Sequence, residues 1–195
     1  MRRPDVSTWP CSVARATDII GDSWSTLIMR EAYYGSTRYD DFQRHLGLAR
    51  NTLSDRLNKL VTAGVLTKRF YQDNPPRYEY LLTDMGHEFF PILTALARWG
   101  DRWLDRGKGK PVALLHTRCG HELEAEVICA HCGVPVTSDS VEFHIGHGYP
   151  AEVSEQLDLR PRLKPPIKKR ARSQVKPAGA TAPAGLATAR QRRKA

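Results

Sequence analysis

The sequence predicts a mainly α-helical chain that carries one β-hairpin, followed by a small Cys/His-rich module and a basic tail. Three observations carry this prediction. Two short amphipathic segments meet at Gly47-Leu48. The second of them runs into Gly64. Two β-rich runs then flank Asn74-Pro75-Pro76, and a long segment with an apolar stripe follows. Helix, helix, helix, hairpin, helix is the order of a winged helix-turn-helix.

Each element has its own local signal. In residues 12–20, Val13, Ala16, Ile19 and Ile20 fall on one helical side, and Gly21 ends the helix. Asp22 or Ser23 is a natural cap for the next helix, about Trp24 to Tyr34, where Trp24, Leu27, Ile28 and Glu31 mark the helical period. A short helix over 39–46 is anchored by Phe42 and Leu46 and closed by Gly47. From Arg50 to Ala63, Leu53, Leu57 and Leu60 recur at four and three residues and define a buried face. Gly64 stands where a helix ends. Val65–Tyr71 and Arg77–Leu82 are rich in β-branched and aromatic residues, and the prolines between them cannot continue a strand. Thr83 caps a helix over Asp84–Leu104, which Pro91 should kink or split. Phe89, Leu93, Leu96 and Trp103 form its stripe, at a spacing close to a coiled-coil seam.

These signals divide the chain into an N-terminal arm (1–10), a winged-helix domain (11–106), a Cys/His module (112–149) and a basic tail (150–195) expected to be disordered. The net charge of +9 lies wholly in the tail. Residues 1–150 hold 18 Lys and Arg against 18 Asp and Glu, whereas residues 151–195 hold 12 against 3. Bulk charge therefore says nothing about the folded part, whose affinity for nucleic acid must come from local patterning. No apolar run approaches the ~20 residues that span a bilayer, and no apolar stretch follows the first arginines, so a cytoplasmic protein is expected.

The major groove admits one helix, and a helix-turn-helix presents its second helix there. With the leucines of the 50–63 helix turned inward, about 100° per residue places Asn51, Asp55, Asn58 and Lys59 on the far side, beside Thr52. Asn51, Thr52, Asn58 and Lys59 are candidates for base edges or phosphates. Arg44, Arg50 and Arg56 suit phosphates, and Lys68, Arg69 and Arg77 of the wing suit the backbone or minor groove. Asp55 either accepts from a cytosine amino group or pairs with Arg56 or Lys59, and the pairing is the favoured reading.

The segments Cys11, DIIGDSW, LIMREAYYGSTRYDDFQRHLG, TLSDRLNKLVTAGVL, PPRYEYLLTDMG and LTALARWGDRW, in that order over residues 11–104, resemble the HxlR-type winged-helix family of prokaryotic transcription regulators. The resemblance implies a MarR-like homodimer on an inverted repeat in promoter DNA. The dimer would form through the first helix and the helix after the wing, with Val13, Ile19, Ile20, Phe89, Leu93, Leu96 and Trp103 as interface candidates. Ala49 departs from the family pattern, in which a capping Ser is frequent; a lost cap costs about 1 kcal/mol.

Cys11 opens the first helix, and a helix N-terminus favours a thiolate. Some members of the family resemble thiol sensors with a cysteine near this position, so Cys11 is a redox-sensing candidate and oxidants, electrophiles or a small ligand are candidate effectors. The same residue also reads as a small buried apolar group. His116-x2-Cys119-Gly120 and Cys129-x2-Cys132-Gly133, nine residues apart, have the paired layout of a zinc ribbon, which makes His116, Cys119, Cys129 and Cys132 candidate ligands of a structural zinc. Similar extensions occur in part of the resembled family. The basic runs Lys164–Arg172 and Arg190–Lys194 suit non-specific phosphate attraction, and Arg160-Pro161-Arg162 weakly suggests a minor-groove hook.

Enzyme signatures fail. A zinc deaminase needs H-x-E and P-C-x-x-C, but His121 and Glu122 are adjacent and Ile128 precedes Cys129. No Gly-rich phosphate loop, nucleophile elbow or βαβ context for Cys129-x2-Cys132 is present. The expected function is sequence-specific DNA binding by a transcription regulator. The alternative is a winged-helix interaction module or a nucleoid-associated protein that binds DNA without sequence preference.

Overall fold

The computed structural model describes residues 6–150 and 163–167. Residues 1–5 of the arm and 151–162 and 168–195 of the tail, with Arg160-Pro161-Arg162 and Arg190–Lys194, lie outside the described residues.

α1 (Ser12–Ile20) is capped by Cys11, whose Sγ accepts from the Ala14 amide at 3.4 Å. α2 (Ser23–Tyr33) is capped by Asp22, which accepts from the Ser25 amide at 3.0 Å and from its hydroxyl at 2.6 Å. α3 (Tyr39–Leu46) ends on Gly47 at φ 64°, a left-handed position where a side chain would strain the backbone. That glycine allows the sharp entry into α4 (Arg50–Thr62). Ile28 and Met29 of α2, Phe42 of α3 and Leu53, Leu57 and Leu60 of α4 meet in a fully buried core. Each such side chain contributes about 1.5–3 kcal/mol by leaving water.

β1 (Leu66–Gln72) and β2 (Arg77–Leu82) pair antiparallel, with Leu66 opposite Leu82 and Phe70 opposite Tyr78, and the register slips between Phe70 and Gln72. The chain before α3 extends the hairpin: Arg38 bridges to Glu79, and the Tyr80 amide donates to the Thr37 carbonyl at 2.7 Å. Tyr80 fastens the hairpin to the core through an edge-to-face contact with Phe42 at 6.4 Å.

The segment after the wing is split in two, one of the outcomes expected of Pro91: α5 (Asp84–Glu88) is followed by α6 (Phe90–Leu104), with Pro91 in the first turn of α6. Thr83 caps α5 by accepting from the Gly86 amide at 3.1 Å. Two expected interface residues of this segment are corrected. Phe89 is buried and Leu93 half-buried against the core of their own protomer, as are Ile19 and Ile20 of α1. Leu96, Trp103 and Val13 do stand exposed.

The sequence puts the module boundary at the linker 107–111, but the chain divides after Glu126. Of the described residues, one compact unit holds 6–126 and 148–150, and the other holds 127–147 with 163–167. Segment 107–126 is tied to α6 by Arg98, which donates to the Ala125 carbonyl at 2.8 Å, and is braced internally by the Lys110–Glu122 pair at 2.6 Å. It contains the short ladder of β3 (Leu115–His116) and β4 (His121–Glu122). In the second unit, Ile128 bridges Pro135 and His144 bridges Lys164. The expectation of disorder from residue 150 onward thus fails at 163–167. There the Lys164 amide donates to Phe143 O at 2.8 Å, and its ammonium pairs with Glu142 at 2.5 Å.

Candidate nucleic-acid interface

The interface is built on α4. Its leucines point inward, so Arg50, Asn51, Asp55 and Asn58 are exposed on the opposite side and Thr52 is half-exposed beside them. Arg50 and Asn51 have no side-chain partner among the described residues. Ala49 provides no side-chain cap. Tyr39, which the sequence reading did not select, braces this end of the helix from α3. Its hydroxyl donates to the Arg50 carbonyl at 2.8 Å and accepts from Ser54 Oγ at 3.3 Å.

Two cations assigned to DNA from the sequence turn back into the protein. Arg56 Nε binds Asp22 Oδ1 at 2.9 Å, and the Lys59 ammonium donates to the Asp18 carbonyl at the end of α1. Partial burial opposes ionisation of Asp22, but the Ser25 hydroxyl and amide and the Arg56 guanidinium outweigh it and hold the carboxyl below the usual range. Asp55 pairs with neither Arg56 nor Lys59, because both reach across to the α1–α2 junction. The favoured pairing is therefore corrected.

The wing reaches α4 through Lys68, which donates to Asn58 Oδ1 at 2.9 Å and lies over the rings of Tyr78 and Tyr80. With its oxygen engaged, Asn58 keeps its amide nitrogen as the outward donor. Arg69 pairs with Glu79 at 2.7 Å, Arg77 with Asp40 at 3.6 Å and Arg44 with Asp41. The Arg69 bonds act against burial and, with the charges of Arg69 and Arg38, keep the Glu79 carboxyl low. Exposed pairs of this kind are worth about 0–1 kcal/mol, so these arginines exchange readily to a phosphate. Phe70 and Tyr78, exposed and stacked edge-to-face at 5.6 Å, add an aromatic step on the wing that their sequence neighbours did not reveal.

The paired Cys/His segments share one local geometry. The Gly120 amide donates to the His116 carbonyl and the Gly133 amide to the Cys129 carbonyl, each at 2.8 Å, and the two glycines have φ of 73° and 72°. His116 Nδ1 lies 3.2 Å from Cys119 Sγ, which brings two donors to one side of their turn. In the other turn the amides of His131 and Cys132 and the Cys132 thiol favour the Cys129 thiolate. The pairs fall in different compact units, and among the described residues no group of three or more ligating side chains is gathered. Cys11 is exposed rather than buried, which removes the reading of it as a small core residue.

A helix-turn-helix with a hairpin wing and an outward polar face on its second helix defines a DNA-binding transcription regulator. The chain belongs to the HxlR-like helix-turn-helix family, whose model matches residues 19–108. It is 39% identical over 143 residues to the HTH-type transcriptional regulator Rv3095 of Mycobacterium tuberculosis, covering 73% of this chain and 90% of that one. Among solved structures it is similar to the transcription factor PA1607 (34% identity, TM-score 0.64, covering 72% of this chain and 97% of that one). It is also similar to PA1374 from Pseudomonas aeruginosa (34% identity, TM-score 0.54, covering 75% and 99%). No helix among the described residues is long and apolar enough to cross a membrane.

Proposed function

We propose that this regulator is a cytoplasmic, non-enzymatic homodimer that sets the α4 of each protomer into successive major grooves of an inverted repeat. The observation that carries the reading is the segregation of α4. Arg50, Asn51 and Asn58 face outward, while Arg56 and Lys59 hold the helix to the α1–α2 junction. Asn51, Asn58 and Thr52 read bases; Arg50, Arg44 and the wing residues Lys68, Arg69 and Arg77 hold the backbone.

The dimer reading is supported by a second segregation, on α6. Ile92, Leu96, Trp99 and Trp103 recur at four, three and four residues and are 51–64% exposed, an a/d seam left open by the described residues of one protomer. Val13 of α1, the other helix expected at the interface, is 70% exposed. A second copy of the chain covers this seam. Sequence spacing alone selected a neighbouring stripe, because it could not tell which side of the helix meets the core.

Footprinting of the purified protein on the DNA upstream of its own gene tests the function. A discrete protected segment with two half-sites about one helical turn apart is expected. Uniform protection at all sequences favours the nucleoid-type alternative. Cys11 is proposed as an oxidant-responsive thiol. Diamide then weakens promoter binding by the wild type and spares Cys11→Ser, and equal responses dismiss that role. A structural zinc is proposed on His116, Cys119, Cys129 and Cys132, supported by the matching turns of the two pairs.

A further inference from the structure

The outer half of the wing holds two aromatic rings in water. Phe70 is 51% and Tyr78 43% exposed, and the rings stand edge-to-face at 5.6 Å. Phe70 lies opposite Tyr78 and Lys68 opposite Tyr80, so these four side chains share one face of the hairpin. At its base this face is closed, because Tyr80 meets Phe42 in the core. Two residues toward the tip it is open. We infer that Phe70, backed by Tyr78, is an apolar wedge that enters the minor groove of the bound duplex, opens one base step and bends the DNA. The inference deepens the DNA-binding reading above and rests on it.

Continuity with α4 places the pair at the duplex. Lys68, on the same face, donates to Asn58 Oδ1 at 2.9 Å, so the rings extend the outward surface of the helix that enters the major groove. Phe70 stands two residues, about 7 Å, farther out along β1 than Lys68. The surrounding charge suits the same occupant. Arg69 and Arg77 precede Phe70 and Tyr78 in the chain, and the Lys68 ammonium lies 5.9 Å from the Tyr78 ring. Cations on both sides of an apolar edge match the phosphates that border a groove about 6 Å wide. Glu79, the carboxylate of the two strands, is on the opposite face between Arg38 and Arg69.

The rings are also held firmly. The register slips just after Phe70, and the Tyr71 ring at this bulge packs 4.8 Å from the Arg38 guanidinium. Gln72 Nε2 donates to the Asn74 and Pro75 carbonyls at 3.2 and 3.4 Å, which stiffens the tip. A fixed apolar edge can drive a step open, whereas a yielding one folds away. The two rings divide the work. Phe70 has no polar atom for a base edge and acts by stacking. The Tyr78 hydroxyl suits the adenine N3 and thymine O2 acceptors of the minor groove. Pyrimidine–purine steps unstack most easily, so a TA step flanking each half-site is the expected target.

The test uses the full chain and a duplex of about 30 bp cut from the DNA that the wild type protects upstream of its own gene. The duplex carries a dye at each end and 2-aminopurine at each adenine of the flanking TA steps in turn. The wild type is expected to bring the dyes together, as for a bend of about 20–90°, and to brighten 2-aminopurine at one step. Phe70→Ala loses both signals and weakens binding about tenfold. Phe70→Leu keeps an apolar wedge and both signals. Arg77→Ala lowers the salt slope by about one and leaves the bend as it is. Phe70 is exposed in the protomer, so its variants should keep the wild-type circular-dichroism spectrum. A wild type that binds its segment with neither bend nor brightening overturns the wedge and leaves the regulator reading standing. Undiminished signals in Phe70→Ala do the same. A chain that protects no discrete segment overturns the regulator reading, and the wedge goes with it.

Discussion

Arg56, a cation on the helix that faces DNA, is bound at 2.9 Å to Asp22, the cap of a helix 34 residues earlier in the chain. One carboxylate thus closes the N-terminus of α2 and fixes the rotation of α4 about its leucines. The relationship sorts the cations of α4 into those that orient the helix and those left for a phosphate.

Asp22 gives the protein an acid-sensitive anchor. Its carboxyl is held low by Ser25 and Arg56, so its stabilising contribution is fully present above the ordinary carboxylate value of 3.8 and is lost as pH falls through the lower folded value. Asp22→Ala is expected to cost about 1–2 kcal/mol at neutral pH through the lost cap. Asp22→Asn keeps a capping oxygen and costs less, but it removes part of the fall in stability below pH 3.8. Urea melts from neutral to strongly acid pH check both; an unchanged acid limb in Asp22→Asn contradicts the anchor.

The two kinds of cation on α4 should separate in binding experiments. Arg50→Ala is expected to lower the salt slope of operator binding by about one, and Asn51→Ala to cost about 1–3 kcal/mol on the specific site alone. Lys59→Ala should instead lower the melting temperature, because its ammonium ties α4 to the Asp18 carbonyl, and should leave the salt slope as it is. Titrations at several salt concentrations, run beside thermal melts, distinguish the two patterns.

Gly86 is a packing glycine. A Cβ there would sit 2.4 Å from the Val65 carbonyl oxygen and 3.1 Å from Leu82 Cδ2, so backbone as well as side chain must move. Gly86→Ala is expected to destabilise the protein by about 1–3 kcal/mol. Because the Gly86 carbonyl also receives the Tyr33 hydroxyl, the change should loosen the wing root, read as faster amide exchange over β1 and β2. Wild-type stability in Gly86→Ala would show that the root relaxes freely.

The seam on α6 predicts oligomeric state. Trp99→Asp places a charge in the middle of the proposed dimer surface and should give monomers in sedimentation with an unchanged circular-dichroism spectrum, since Trp99 is 55% exposed in the protomer. A Trp99→Asp protein that remains dimeric moves the interface elsewhere.

Metal content tests the Cys/His pairs. Protein purified without a histidine tag should carry close to one zinc per chain, and Cys132→Ser should lose it. Less than ~0.2 zinc per chain after gentle dialysis contradicts a structural site, because such zinc is held tightly.

Much of this protein is legible from local pattern. The spacing of Leu53, Leu57 and Leu60, the left-handed Gly47, the proline-tipped hairpin and the Thr83 cap each declare an element within a few residues, because helix and strand periods and turn chemistry act over that range. The face of α4 opposite the leucines follows from the same period. The partners of the side chains do not. Arg56 meets Asp22 and Lys59 meets Asp18 across 34 and 41 residues, and nothing near either cation signals it. Likewise α6 carries two stripes of similar spacing, and only packing decided that Leu93 turns to the core while Ile92, Leu96, Trp99 and Trp103 remain uncovered. The order of elements and their buried faces were settled by the chain's own periodicity, a property of neighbours in sequence. Which charges are free and which apolar stripe is open were decided by the tertiary structure, since these depend on what the rest of the chain brings alongside.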